Sequence, residues 1–146
     1  MARNIIGNRK GAAMVELAII LPILLIVLFA IIEFGLILYD KALITNASRE
    51  GARQGIVFRW DVGANIYNPY TEADIQGVVN AYLDGGNRLI PPAAPVTNVP
   101  PPICTGAGSQ LTVRVTYNYN FFVLPNFITS ITGPMNLVAE TIMRCE

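Results

Sequence analysis

Histidine is absent from the 146 residues, cysteine occurs only twice, and charged residues make up only 14% of the chain. Without histidine, the usual general base and the commonest neutral metal ligand are missing. Cys104 and Cys145 are too few and too far apart for a C-x-x-C redox pair or a thiolate metal site. There is no G-x-S-x-G elbow, no phosphate-binding glycine loop ending in lysine and no acid pair at catalytic spacing, so no catalytic set, metal or cofactor is expected. From Ile56 onward, Arg59, Arg88, Arg114 and Arg144 stand against Asp61, Glu72, Asp74, Asp84, Glu140 and Glu146. That balance leaves no basic field for nucleic acid. The acids lack the dense oxygen clustering of a calcium site and read as solvated charges.

What the chain does have is a long apolar run near its start. Arg3, Arg9 and Lys10 precede Gly11-Ala12-Ala13-Met14-Val15-Glu16, and Leu17 to Ile32 then carries no charge. As a helix that run is about 24 Å long, and flanking apolar residues bring it to bilayer thickness. It exceeds the apolar core of roughly 7 to 15 residues found in a secretory signal peptide and lacks the small-residue ending. A single-pass anchor follows, and the basic stub places the N-terminus in the cytoplasm and the C-terminal part outside. Glu16 sits at the mouth of the span. An unpaired acid near mid-bilayer costs on the order of 3 kcal/mol, so Glu16 either has a functional partner or rests at headgroup level. Glu33, about 26 Å further along a straight helix, reads as a boundary residue at the opposite interface. Pro22 removes the hydrogen bond to the Ala18 carbonyl, giving either a hinge or a bend that lipid tolerates.

The order of basic stub, Gly11, Glu16 and apolar helix resembles the N-terminus of type IV pilins and pseudopilins, specifically the TadE-like proteins of tight-adherence (type IVc) pilus systems. The resemblance extends through Glu33-Phe34-Gly35, Asn46-Ala47-Ser48-Arg49-Glu50-Gly51-Ala52-Arg53 and the late strand-like segments. Leu17 departs from it, since an aromatic often follows the glutamate. The resemblance implies a prepilin-peptidase cut between Gly11 and Ala12, which makes Glu16 the fifth residue of the mature chain and gives it a role in assembly. Residues 1–11 are then a leader, 12–55 a transmembrane and extended helix, and 56–146 an exported domain. The implied partners are other pilins or pseudopilins, the prepilin peptidase, an inner-membrane assembly platform and the lipid bilayer. The implied function is structural, that of a minor pilin or pseudopilin contributing to assembly of a tight-adherence pilus and to surface attachment. One alternative is a membrane-anchored adhesion or secretion-accessory protein outside any filament; another is an anchored envelope enzyme, which the missing catalytic sets disfavour.

Beyond the span, helical spacing continues to Gly55. Asn46, Arg49, Glu50 and Arg53 share one face, and Leu43, Ile44, Ala47, Gly51 and Gly55 the other. The four-residue spacing of Ala47, Gly51 and Gly55 lets another backbone approach closely, from either a second subunit or the chain's own domain. Gly55 to Trp60 fits a continuing helix or an opening strand, and Asp61 to Tyr70 reads as a loop. Thr71 and Asp74 form a capping-box variant ahead of a second helix over Glu72 to Asp84, with Ile75, Val78, Val79 and Tyr82 on its apolar face and Gly85-Gly86 as its stop.

Pro91, Pro92, Pro95 and Pro100 to Pro102 predict an extended surface connection, and Gly106 to Ser109 a turn. Leu111, Val113, Val115, Tyr117, Tyr119 and Phe121 alternate with polar residues as a half-buried strand does. Met135 to Arg144 is a second strand, set off by a short apolar segment at Phe127 to Ile131 and a break at Thr132-Gly133-Pro134. Antiparallel pairing of the two would give the second helix a surface to cover. The expected class is α+β, a long N-terminal transmembrane helix with a small exported domain containing a helix and a short antiparallel sheet. Cys104 and Cys145 both fall on the exported side, so a disulfide is expected, with two unpaired thiols as the alternative. Closing that loop of about 40 residues contributes on the order of 4 kcal/mol in the chain-entropy model.

Overall fold

The computed structural model describes residues 8–63, 65–85, 88–123 and 133–146. Helix α1, Asn8–Gly55, runs for 48 residues and continues through Pro22. Strands β1 (Arg59–Asp61) and β2 (Ile66–Asn68), helix α2 (Glu72–Asp84) and strands β3 (Val96–Asn98), β4 (Gln110–Tyr119) and β5 (Met135–Arg144) follow. A long apolar helix, a second helix and short antiparallel sheets make up the expected α+β arrangement.

Burial divides α1 into two parts. Between Gly11 and Ile32 every residue except the half-buried Phe29 is exposed. Burial begins at Glu33 and recurs at Asp40, Leu43, Ile44, Ala47, Ser48, Gly51, Ala52 and Gly55, a stripe at helical spacing. Strands β4 and β5 pair antiparallel in full register from Gln110↔Arg144 to Tyr119↔Met135, and β3 adds to the other edge of β4 from Val96↔Thr116 to Asn98↔Arg114. The side chains of Leu111, Val113, Val115, Tyr117 and Tyr119 are fully buried on one face of β4, with Leu137 and Ala139 beside them on β5. The strand descends along α1. Leu111 meets Gly55, Val113 meets Gly51, and Tyr119 reaches Glu33. The sheet therefore ends where the bare apolar part of the helix begins.

Helix α2 begins as its residues predict, with the Asp74 N–H donating to Thr71 Oγ1 at 3.3 Å and the Thr71 N–H donating back to Asp74 Oδ2 at 2.9 Å. Its fully buried positions are Ile75, Val79 and Leu83, whereas Val78 and Tyr82 are half-buried. The apolar face is thus turned slightly from the expected one. The inner sheet face is covered mainly by α1, while α2 lies alongside α1 and touches β3.

The structure settles one open segment and differs from the sequence expectation in two. Helix α1 stops at Gly55, and Arg59 opens β1, which settles the ambiguous stretch in favour of a turn and a strand. The expected loop from Asp61 to Tyr70 contains β2, and β1 and β2 form a hairpin in which Trp60 faces Tyr67 with ring centroids 4.9 Å apart. With only three residues in each strand, no alternation was long enough to read. The proline-rich stretch is more than a surface connection. Its proline-free window forms β3, and Leu89 and Val99 on either side enter the core. The apolar segment Phe127 to Ile131 lies outside the described residues.

Candidate functional site

The candidate site is α1 itself, read from its N-terminus towards the domain. Gly11 and Ala12 lie inside the helix, which starts at Asn8, and a Cβ added to Gly11 would meet nothing within 4 Å. A peptidase cutting there must unwind about one turn of helix, and a glycine lowers the cost of doing so. One turn on, Glu16 is exposed and has no hydrogen bond or ion pair with a described residue.

Glu33 is a different kind of acid from the expected boundary residue. Its side chain is 1% exposed. Oε1 accepts hydrogen bonds from the Tyr119 hydroxyl at 2.5 Å and the Phe122 N–H at 2.9 Å, and Oε2 accepts one from the Val123 N–H at 2.6 Å. Burying a carboxylate is tolerable only when its lone pairs are satisfied in this way. Glu33 therefore clamps the end of β4 to the helix. The rule that singled out Glu16 applies equally to Glu33, an acid within an apolar helix, but its partners lie too far along the chain to be identified by spacing.

Asp40, two turns further on, is fully buried. Its Oδ1 accepts the Ile90 N–H at 3.0 Å, and Oδ2 has no partner among the described residues. Burial pushes its carboxyl up to about 6, against the opposing pull of the Ile90 hydrogen bond. Burial, then the charge of Asp40, pushes the Tyr117 hydroxyl up to about 12, and that hydroxyl donates to the Pro91 carbonyl. Lys41 leaves the stripe and donates to the Val138 carbonyl on β5. Ser48, buried in the same stripe, shares a 2.7 Å hydrogen bond with Thr141 of β5.

The small residues of the stripe pack against the chain's own domain. A Cβ on Gly51 would lie 2.7 Å from Val79 Cγ2, and one on Gly55 would lie 2.6 Å from Leu111 Cδ2. Ala47 is fully buried in the same core. Of the two occupants the spacing allowed, the structure places α2 and β4 against this face. Cys104 and Cys145 are joined by a disulfide with Cα atoms 5.8 Å apart, which ties the end of β5 to the proline-rich segment. Among the described residues, no group of three His, Cys, Asp or Glu is placed to hold a metal ion.

These features define a packing helix with one half long and apolar enough to cross a membrane once and the other half covered by a small disulfide-bonded domain. Residues 11–53 match the family model described as TadE-like protein. Over that helix the chain is similar to TadE-like proteins. No match was found among curated proteins or among solved structures.

Proposed function

We propose that the protein is a minor pilin or pseudopilin that contributes to assembly of a tight-adherence pilus and, through it, to surface attachment. One observation carries the reading: a single helix, similar to TadE-like proteins over residues 11–53, is bare up to Ile32 and packed against its own domain from Glu33 onward. Such a chain moves laterally in a bilayer while holding its domain at a fixed height. In this proposal the N-terminus faces the cytoplasm, the domain is exported across the inner membrane, and the prepilin peptidase cuts after Gly11. Other pilins and the assembly platform then engage the bare helix. The exported compartment suits the disulfide, which forms and persists under oxidising conditions.

N-terminal sequencing of protein extracted from native membranes tests the reading. A mature chain beginning at Ala12 is expected. A chain that keeps its residues before Gly11 would leave a signal-anchored accessory protein as the better description.

A further inference from the structure

Between Glu16 and Asp40, Glu33 is the only charged residue, and its carboxylate accepts hydrogen bonds from Tyr119 at the end of β4 and from Phe122 and Val123 just beyond it. The stretch from Leu17 to Tyr39 is therefore lipid-compatible over about 34 Å, against a hydrocarbon core of about 30 Å. A span ending at Glu33 covers only about 26 Å and falls short of that core. It would also leave water against Phe34 and Leu38, which are 61% and 53% exposed and continue the outward face of Ile31 up the helix.

The same clamp fixes the height of the domain. Because the N–H groups of Phe122 and Val123 both donate to Glu33, the lower end of the β4–β5 pair cannot rise above that level of the helix. At that end the Phe122 side chain is 67% exposed, and Met135, opposite Tyr119, is also exposed. Exposed aromatics at the edge of a membrane span are typical of the headgroup region, where an apolar ring displaces interfacial water. Tyr39, at the upper end of the stretch, is half-exposed and suits the same region.

We propose that the bilayer boundary on the domain's side lies at Tyr39 and Asp40 rather than at Glu33, so that the Phe122 end of the β4–β5 pair is immersed in the lipid interface. The occupant of this apolar surface is lipid because the surface is continuous with the apolar span and is held level with it by Glu33. The inference rests on α1 spanning the membrane and is independent of entry into a filament.

The test uses the full chain reconstituted in phospholipid vesicles carrying bromine at known acyl-chain depths. The sequence contains one tryptophan, Trp60 on β1, so Trp60→Phe supplies a silent background. In that background Phe122→Trp and Met135→Trp report the hairpin end, and Ile26→Trp reports the span. Expected is blue-shifted emission at 122 and 135 with loss of signal to shallow bromines, loss at 26 to deep bromines, and no lipid quenching of Trp60 in the parent chain. Quenching at 26 together with water-like, unquenched emission at 122 and 135 overturns the immersion and leaves the span standing. Blue-shifted but unquenched emission at 122 and 135 assigns the cover of this surface to protein, a second copy or the chain itself, and also overturns it. Absence of quenching at all three positions removes the span and the proposal with it.

Discussion

Tyr119 donates its hydroxyl hydrogen to Glu33 Oε1 across 2.5 Å, joining the last residue of β4 to a helix position 86 residues earlier. The contact sits at the point where α1 changes from a bare to a packed helix. With the Phe122 and Val123 amides, it makes Glu33 the lowest fastening of the domain among the described residues.

We predict that Glu33→Ala lowers the stability of the full-length protein in detergent by about 1 to 3 kcal/mol, since the buried Tyr119 hydroxyl and the part-buried Phe122 and Val123 amides lose their acceptor. Glu33→Gln should also be damaging, because its NH2 group brings donors to face donors. Tyr119→Phe, which removes one donor and leaves the carboxylate the Phe122 and Val123 amides, should cost only about 1 kcal/mol. Denaturant unfolding gives the ranking, and amide exchange at Phe122 and Val123 locates the loss. Wild-type protection of those two amides in Glu33→Ala would show that the clamp is dispensable.

For Gly51 the expected effect grows with side-chain size. Gly51→Ala brings a methyl group against Val79 Cγ2. Overpacking costs roughly 1 to 3 kcal/mol and is partly offset by the better helix propensity of alanine, so a net loss of about 1 kcal/mol is predicted. Gly51→Leu should lose about 3 kcal/mol by the same overpacking. The measurement is again full-length unfolding in detergent. If Gly51→Leu unfolds like the wild type yet fails to assemble with other pilins, the glycine face serves another subunit and the intrachain packing is incidental.

The legible parts of this fold were those in which one segment carries its own periodicity. The alternation from Leu111 to Tyr119 placed β4, and Thr71 with Asp74 placed the start of α2. The apolar run of α1 was clear because a membrane span needs no partner to be recognised. The β1–β2 hairpin was not legible, since strands of three residues carry too little pattern. Strand β3 was hidden by the prolines around it, although Val96 to Asn98 contains none. Glu33 and Asp40 were misplaced or passed over because their environment is assembled from residues far along the chain, Tyr119 to Val123 and Ile90. Spacing within the helix cannot encode that.

Asp40 gives a pH prediction. Its carboxyl is at about 6 in the folded protein against an ordinary value of 3.8, with burial as the main cause. The folded state therefore holds a proton that the unfolded chain has already released, so this group's contribution falls as pH rises from about 4 to 6. Glu50, held down to about 2 by hydrogen bonds from Arg53 and Gln54, acts in the opposite sense but only below its ordinary value of 4.5. Of these two groups, only Asp40 acts in the window between pH 4.5 and 6. Asp40→Asn keeps an acceptor for the Ile90 N–H and removes the charge, and we predict that it is more stable than wild type at pH 7 with a shallower slope in that window. A less stable Asp40→Asn at pH 7 would mean that the buried carboxylate is compensated and that its ionisation carries no penalty.

Glu16 supplies the functional prediction. Its exposed carboxylate lies one helical turn beyond Ala12, the residue that would carry a free ammonium after cleavage following Gly11. An acid in the lipid phase is costly when alone, and an opposite charge on an adjacent subunit offsets much of that cost while fixing the axial register of the two helices. Pairing within the chain would neutralise the group but give no register. We predict that Glu16→Ala and Glu16→Gln are cleaved and inserted normally, yet crosslink weakly to partner pilins through the bare half of α1 and reduce the number of pili. Cleavage is read by N-terminal sequencing, association by site-specific crosslinking in membranes, and assembly by filament counts. Reduced cleavage of Glu16→Ala would shift its role to the peptidase. Undiminished crosslinks and wild-type pili in that strain would leave Glu16 an interfacial residue with no part in assembly.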